Sequence, residues 1–204
     1  MIRFFDIVLS LIGLVILLPV FLVISIWIKL DSPGPIFFKQ DRVGLNGIDF
    51  HLIKFRTMFL NSDRKGLLTV GNSDNRVTSS GYFLRKFKID ELPQLANVFI
   101  GKMSIVGPRP EVRKYVDLYT EDQRLVLSVP PGITDYSSIK FRNENELLAK
   151  SSMPEECYIK DILPVKLKLN MIYIRDRSIY QYFKIIILTL FPGNNFSDPL
   201  HKGR

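Results

Sequence analysis

From Ile7 to Ile28 the run IVLSLIGLVILLPVFLVISIWI carries no charge. Its roughly 22 residues are enough to cross a hydrocarbon core as a helix. A secretory leader has a shorter apolar region and a small-residue cleavage site; here Trp27, Lys29 and Asp31 follow instead. A buried core helix is the other reading, but a chain this size rarely hides so long an all-round apolar helix. Pro19 sits mid-run, removes one backbone donor and opposes the carbonyl at residue 15. It predicts a kink, with the helix either bent and spanning or turned back to its own leaflet. Basic residues flank both ends, Arg3 before and Lys29, Lys39 and Arg42 after, so the positive-inside rule does not place the ends on opposite sides. Symmetric flanks favour re-entry.

Beyond the turn DSPGP (31–35), PIFFKQDRVG and IDFHLIKF have strand character, and Asn46-Gly47 between them suits a tight hairpin. Residues 61–80 are polar and predict a mobile surface loop. Leu92, Leu95, Ala96 and Phe99 fall at i, i+3, i+4 and i+7, which predicts helix over Gly81–Ile100. SIVGPRP (104–110) predicts a short strand entering a rigid loop, and Glu111–Val126 a polar amphipathic helix. Pro130, Pro131 and Gly132 make SVPPGITDY a loop. Near the C-terminus YQYFKIIILTLF (180–191) is too short to span; it predicts either a core helix or one lying in the headgroup plane, with Arg175, Arg177, Lys202 and Arg204 around it. The whole is a helix-rich α+β fold: an N-terminal re-entrant membrane helix hairpin over 1–31, then 32–204 as a small cytosolic catalytic domain with a short β-hairpin and amphipathic interfacial helices, one structural unit with its anchor.

Charge narrows the partners. Lys and Arg number 28 against 20 Asp and Glu, a formal +8, which points to an anionic partner. One cysteine, Cys157, rules out a disulfide framework and a CxxC zinc site, and His51 and His201 form no ligand pattern. A reducing, cytosol-facing setting follows.

Against this basic background KIDELPQLAN (88–97) sets two adjacent carboxylates. Pro93 is tolerated only in a first turn, so Asp90 and Glu91 lie at a helix N-terminus, where free N–H groups favour negative charge. Capping alone accounts for them. Neighbours on a helix also diverge by roughly 100°, so the pair can address two partners around one site, as a nucleophile beside a base or metal ligand does. Lys54 and Arg56 alternate with apolar residues and share a strand face. Arg85 precedes Asp90 by five residues. Arg109 is bracketed by Pro108 and Pro110, which fixes its backbone for gripping an oxyanion, and Arg142 follows Lys140. Singly these are surface charges; together they can neutralise a diphosphate that Mg²⁺ bridges to a carboxylate.

The ordered set KFRTM, RVT, FLRK, IDELPQL, NVFIGKMSIVGPRPE and PGIT, behind an N-terminal FD and a proline-broken apolar helix, closely resembles the small monotopic phosphoglycosyl transferases of bacterial glycoconjugate assembly. The resemblance runs from about Arg3 to Arg142 and more weakly beyond; DELPQL followed by VGPRP carries most of its specificity. It implies transfer of a phosphosugar from a UDP-sugar to a polyprenol phosphate, usually undecaprenyl phosphate, with release of UMP at the cytoplasmic face of the bacterial inner membrane. It makes Asp90 the nucleophile of an aspartyl-phosphosugar intermediate and a Mg²⁺ ligand, and Glu91 the support of the second step. Phosphate and uridine contacts carry over to Arg85, Arg109 with Pro108 and Pro110, and Arg142, with Lys54 and Arg56 in the matching basic strand. It implies membrane lipid, but no nucleic acid, as a partner. Five positions depart from the family pattern: Leu18 replaces a Ser before Pro19, Pro130 replaces the Arg of RPGIT, Asp135 and Tyr136 replace Gly and Trp after PGIT, and Lys102 replaces Asp in GDMS. The competing function is a non-enzymatic, membrane-anchored basic module binding anionic lipid or nucleic acid. Its cations would need no acid pair, and no polybasic run or aromatic RNA-binding signature is present.

Overall fold

A computed structural model describes residues 1–60, 62, 74–191 and 198–201. Most of the loop expected over 61–80 lies outside these residues, as do Lys202 and Arg204. The apolar run folds as α1 (Ile2–Asp31), the one helix among the described residues long and apolar enough to cross a membrane. It continues unbroken through Pro19, with no turn there between two helical arms.

Packing explains that continuity, because one stripe of α1 meets the rest of the protein along its whole length of about 45 Å. Near the N-terminus Asp6 accepts from Ser104 Oγ at 3.0 Å, Ile105 N at 2.9 Å and Tyr182 Oη at 2.9 Å. At mid-helix Gly13 lets Leu95 approach, since a Cβ there would sit 3.0 Å from Leu95 Cδ1. Further on Phe21 meets Phe55 edge-on at 5.3 Å, and Ile24 and Ile28 pack with Leu84. Both ends of the helix therefore rest on the same folded unit. The other flank, including Leu11, Val15, Ile16, Leu22, Val23 and Ile26, is exposed and wholly apolar. A patch of that kind needs lipid or a partner to cover it.

The hairpin forms as the alternation predicts. β1 (Phe37–Val43) and β2 (Asp49–Phe55) are antiparallel in register Phe37↔Phe55, and Asn46 and Gly47 turn the chain at φ 55° and 76°. The predicted helix over Gly81–Ile100 splits. Thr78 caps α2 (Ser79–Lys86), Lys88 turns left-handed at φ 60°, a 3₁₀ turn spans Ile89–Glu91, and α3 (Gln94–Phe99) follows Pro93. Pro93 is the reason: it has no N–H for the Ile89 carbonyl, which is taken instead by Leu92 N at 3.2 Å. The acid pair thus stands on a tight turn, not in the first turn of an α-helix. Asn97 ties α3 to β2, accepting from Ile53 N at 3.0 Å and donating to His51 O at 2.8 Å.

β3 (Ser104–Val106) enters the Pro-Arg-Pro loop as expected. The next segment does not form one helix. α4 (Arg113–Val116) stops, and a capping box between Thr120 and Gln123 starts α5 (Glu121–Arg124) afresh. The expected loop at 128–136 contains β4 (Gly132–Thr134), parallel to β3. Glycine permits it: a Cβ on Gly132 would lie 2.1 Å from Gly107 N. Gly132 N donates to Pro108 O at 2.9 Å, so β4 pins the Pro-Arg-Pro loop.

Beyond it α6 (Tyr136–Lys140), α7 (Glu144–Ala149) and α8 (Pro154–Cys157) lead through a π-helical turn at Tyr158–Ile162 into α9 (Leu163–Arg175). α10 (Ile179–Leu190) packs as a core helix on one face and leaves an apolar face exposed. Tyr182 and Ile185 are fully buried, with Phe183 against Phe5 at 5.1 Å, while Tyr180, Ile187 and Leu190 face outward.

Arg56 lies at the joint between α1 and the hairpin. Its guanidinium donates to Pro33 O at 2.7 Å, to Ser32 O at 2.7 Å and Oγ at 3.0 Å, and to Ile28 O at 3.3 Å. Arg56→Met strips these carbonyls of a charged donor, and we expect a loss of about 3 kcal/mol in unfolding free energy. Denaturant unfolding in detergent checks it; a change below about 1 kcal/mol would show the clamp to be dispensable.

Candidate active site

Four elements converge on the acid pair: the end of β2 brings Lys54, α2 brings Arg85, the left-handed turn brings Lys88, and the loop after β3 brings Arg109. Glu91 is tethered. Lys54 Nζ lies 3.1 Å from its Oε1, Arg109 Nη1 donates to Oε2 at 3.0 Å, and Arg109 Nη2 donates to Oε1. That is a fork-on-carboxylate grip with a lysine added. Asp90, 9% exposed, has no hydrogen-bond or ion-pair partner among the described residues.

Their electrostatics diverge accordingly. Burial pushes the Asp90 carboxyl above its ordinary range, and Lys54 offsets this only in part against the neighbouring Glu91. Burial pushes Glu91 up too, but Arg109 and Lys54 together overcome it and hold Glu91 well below the usual carboxylate range. Burial draws Lys54, Lys88 and Arg85 down, with Glu91 opposing the effect on both lysines and Asp90 opposing it on Arg85. Arg109 is driven up by Glu91.

These groups line a cavity of about 490 Å³, which also takes in Arg42, Glu111, Arg142, Glu144, Tyr158 and Lys166. Of the residues singled out in the sequence, Lys54, Arg85, Asp90, Glu91 and Arg109 come together, and Arg142 stands at the exposed lip. Arg56 borders the cavity while its guanidinium is spent on α1. Pro108 and Pro110 do not line the cavity; they set the backbone of Arg109, one accepting from Gly132 N and the other from Arg42 Nη1 at 3.0 Å.

Sequence reasoning missed a second charged cluster. Lys166 lies 2.8 Å from Glu144 and 3.6 Å from Glu111, which also faces Arg42 at 3.6 Å and accepts from Tyr158 Oη. Glu111 ends a recognised motif, and Lys88 stands immediately before another; Lys166 had no local signal. Asp135 departs from the family pattern for a structural reason. It is fully buried and accepts from Ser138 N at 2.6 Å, Ser137 Oγ at 2.7 Å and Arg109 N at 3.3 Å, so it caps α6 and steadies the Arg109 loop. Tyr136 is buried with its hydroxyl on Gln181. Nothing in the structure explains Lys102.

Among the described residues no three His, Cys, Asp or Glu side chains cluster as a metal site. Mg²⁺ does not require one, since it takes one or two carboxylates and completes its shell with water and substrate phosphates. Asp90 is the free carboxylate that fits this mode, and Glu91 is already occupied by two cations.

The family model described as bacterial sugar transferase matches residues 1–193. The UDP-glucose:undecaprenyl-phosphate glucose-1-phosphate transferase of Escherichia coli (strain K12) is 37% identical over 192 residues, 92% of this chain and 39% of that protein. The UDP-N-acetylgalactosamine-undecaprenyl-phosphate N-acetylgalactosaminephosphotransferase of Aeromonas hydrophila is 41% identical over 140 residues, 67% of this chain and 33% of that protein. A third relative, the UDP-glucose:undecaprenyl-phosphate glucose-1-phosphate transferase of Caulobacter vibrioides (strain ATCC 19089 / CIP 103742 / CB 15), is 32% identical over 192 residues, covering 92% and 67%. The chain thus spans less than two fifths of the first two relatives' length.

Proposed function

The chain belongs to the bacterial sugar transferase family, and on that premise we propose that it moves a phosphosugar from a UDP-sugar to a polyprenyl phosphate, releasing UMP. The observation that carries this reading is the inequality of the two acids: Glu91 is held by Arg109 and Lys54, while Asp90 is free at the floor of a cation-lined cavity. An Asp90 oxygen attacks the sugar-bearing phosphorus. The bond to the UMP oxygen breaks, its electron pair leaving with UMP, and an aspartyl phosphosugar remains. An oxygen of the polyprenyl phosphate then attacks the same phosphorus, and the Asp90 carboxylate is restored. Nucleophile and leaving group are carboxylate and phosphate oxygens in both steps, so neither step needs a proton once Asp90 is ionised.

Glu91, ionised and ion-paired, is a poor base. Its work is to hold Arg109 and Lys54 around the transferring group. Arg85 and Lys88 add positive charge where two anionic substrates meet, and Arg142 grips phosphate at the lip. Mg²⁺ held by Asp90 would supply further charge neutralisation when bound.

The membrane reading rests on α1. Both of its ends lie on the same unit, which favours shallow, single-leaflet insertion over a crossing that would separate them. The protein then sits on the cytoplasmic face of the bacterial inner membrane, where UDP-sugars are available. Purified protein with Mg²⁺, undecaprenyl phosphate and each of a panel of UDP-sugars should release UMP with at least one donor, and only when the lipid is present for repeated turnover. No release from any donor would overturn the proposal.

A further inference from the structure

The charged cluster occupies only one end of the cavity. Along β1 the side chains of Phe38, Gln40 and Arg42 share a face and all line it. The wall therefore passes from aromatic ring to amide to guanidinium within about 14 Å. Phe38 is the cross-strand partner of Lys54, whose Nζ reaches Glu91 at 3.1 Å, so the change of polarity falls beside the acid pair.

Beyond Arg42 lie Glu111, Lys166, Glu144 and Tyr158, a polar end suited to a nucleotide sugar. The opposite end is made of Phe37, Phe38, Phe59 and Leu60, all exposed, with Phe37 stacked on Phe55 at 5.4 Å. Phe55 also contacts Phe21, Ile24 and Ile28 on the packed stripe of α1, so this rim abuts the helix that carries the exposed apolar flank. A water-soluble phosphate has no use for such a rim. A phosphate at the end of a long apolar chain does: the chain lies on the aromatics, and the head meets Lys54 and Arg85.

We propose that the rim of Phe37, Phe38, Phe59 and Leu60 is the portal for the prenyl chain of the lipid phosphate acceptor. Acceptor and nucleotide donor then enter from opposite ends and meet at Asp90. The assignment rests on the phosphosugar-transfer reading, and two measurements separate them.

In the first, a benzophenone-tagged polyprenyl phosphate is photo-cross-linked to the full chain in nanodiscs and adducts are mapped by mass spectrometry. Adducts at the portal residues, competed by undecaprenyl phosphate and not by phosphatidylglycerol, are expected. Adducts elsewhere, or equal competition by phosphatidylglycerol, would overturn the portal, the latter making the rim a general acyl-chain surface. In the second, kcat/KM is compared for undecaprenyl phosphate and geranyl phosphate. Phe38→Ser with Phe59→Ser should lower the long-to-short preference about tenfold, and Phe38→Leu with Phe59→Leu should restore most of it. An unaltered preference would refute the portal. Should the wild type release no UMP from any donor, the transfer reading fails while the cross-link map still decides where the prenyl chain lies.

Discussion

On the phosphosugar-transfer reading, Asp90→Asn should abolish UMP release, with a fall of at least about a thousandfold. The amide keeps the shape of the side chain and loses the oxygen nucleophile, so a change confined to affinity is not expected. Stability moves the other way. Because burial raises the Asp90 pKa, ionisation is harder in the folded than in the unfolded chain. At neutral pH the charge therefore costs folding free energy, and a neutral amide removes that cost. The variant should melt at or above the wild-type midpoint while showing no phosphosugar adduct by intact-mass measurement. Near-normal turnover would eliminate Asp90 as nucleophile. A collapsed melting midpoint would show that the carboxylate is structural.

Arg109 gives the second large effect. Arg109→Met should lower kcat/KM by about 10²–10³, because it removes the guanidinium proposed to meet phosphate and the strongest influence holding Glu91 ionised. Arg109→Lys separates charge from geometry. A lysine restores the positive charge but cannot reproduce the two-pronged contact with both Glu91 oxygens, so about ten- to hundredfold of the loss should persist. If the lysine variant is as active as wild type, only the charge matters, and the proline-bracketed presentation has no catalytic consequence.

Legibility followed the range of the interactions. The hairpin was readable because alternation and Asn46-Gly47 are local signals, and the acid pair because its motif is contiguous. The left-handed turn at Lys88 was not, since it has no compositional mark, although Pro93 did signal that a new helix starts near it. The division of 111–126 had a readable cause, the Thr120 to Gln123 capping box, inside a segment whose amphipathic period drew the eye. β4 was hidden because Pro130, Pro131 and Gly132 read as breakers, while its pairing depends on Gly107 in a distant segment. Arg56 alternated with Lys54 as a site cation would, yet it serves carbonyls 23 to 28 residues earlier. Lys166 meets Glu111 only through the tertiary fold.

Asp6 gives α1 a consequence in time as well as space. Its hydrogen-bond partners Ser104 and Tyr182 lie 98 and 176 residues downstream. At usual translation rates the last of them is made roughly 10–35 s after Asp6. On the membrane reading, α1 carries an unmatched carboxyl on its inner stripe until Ser104 and Ile105 are made, and a partly matched one until Tyr182 follows. The newly made anchor is therefore provisional. On that reading the anchor is completed when α10 is synthesised and Tyr182 closes over Asp6, so a chain truncated before Tyr182 should be released or degraded instead of accumulating in the bilayer.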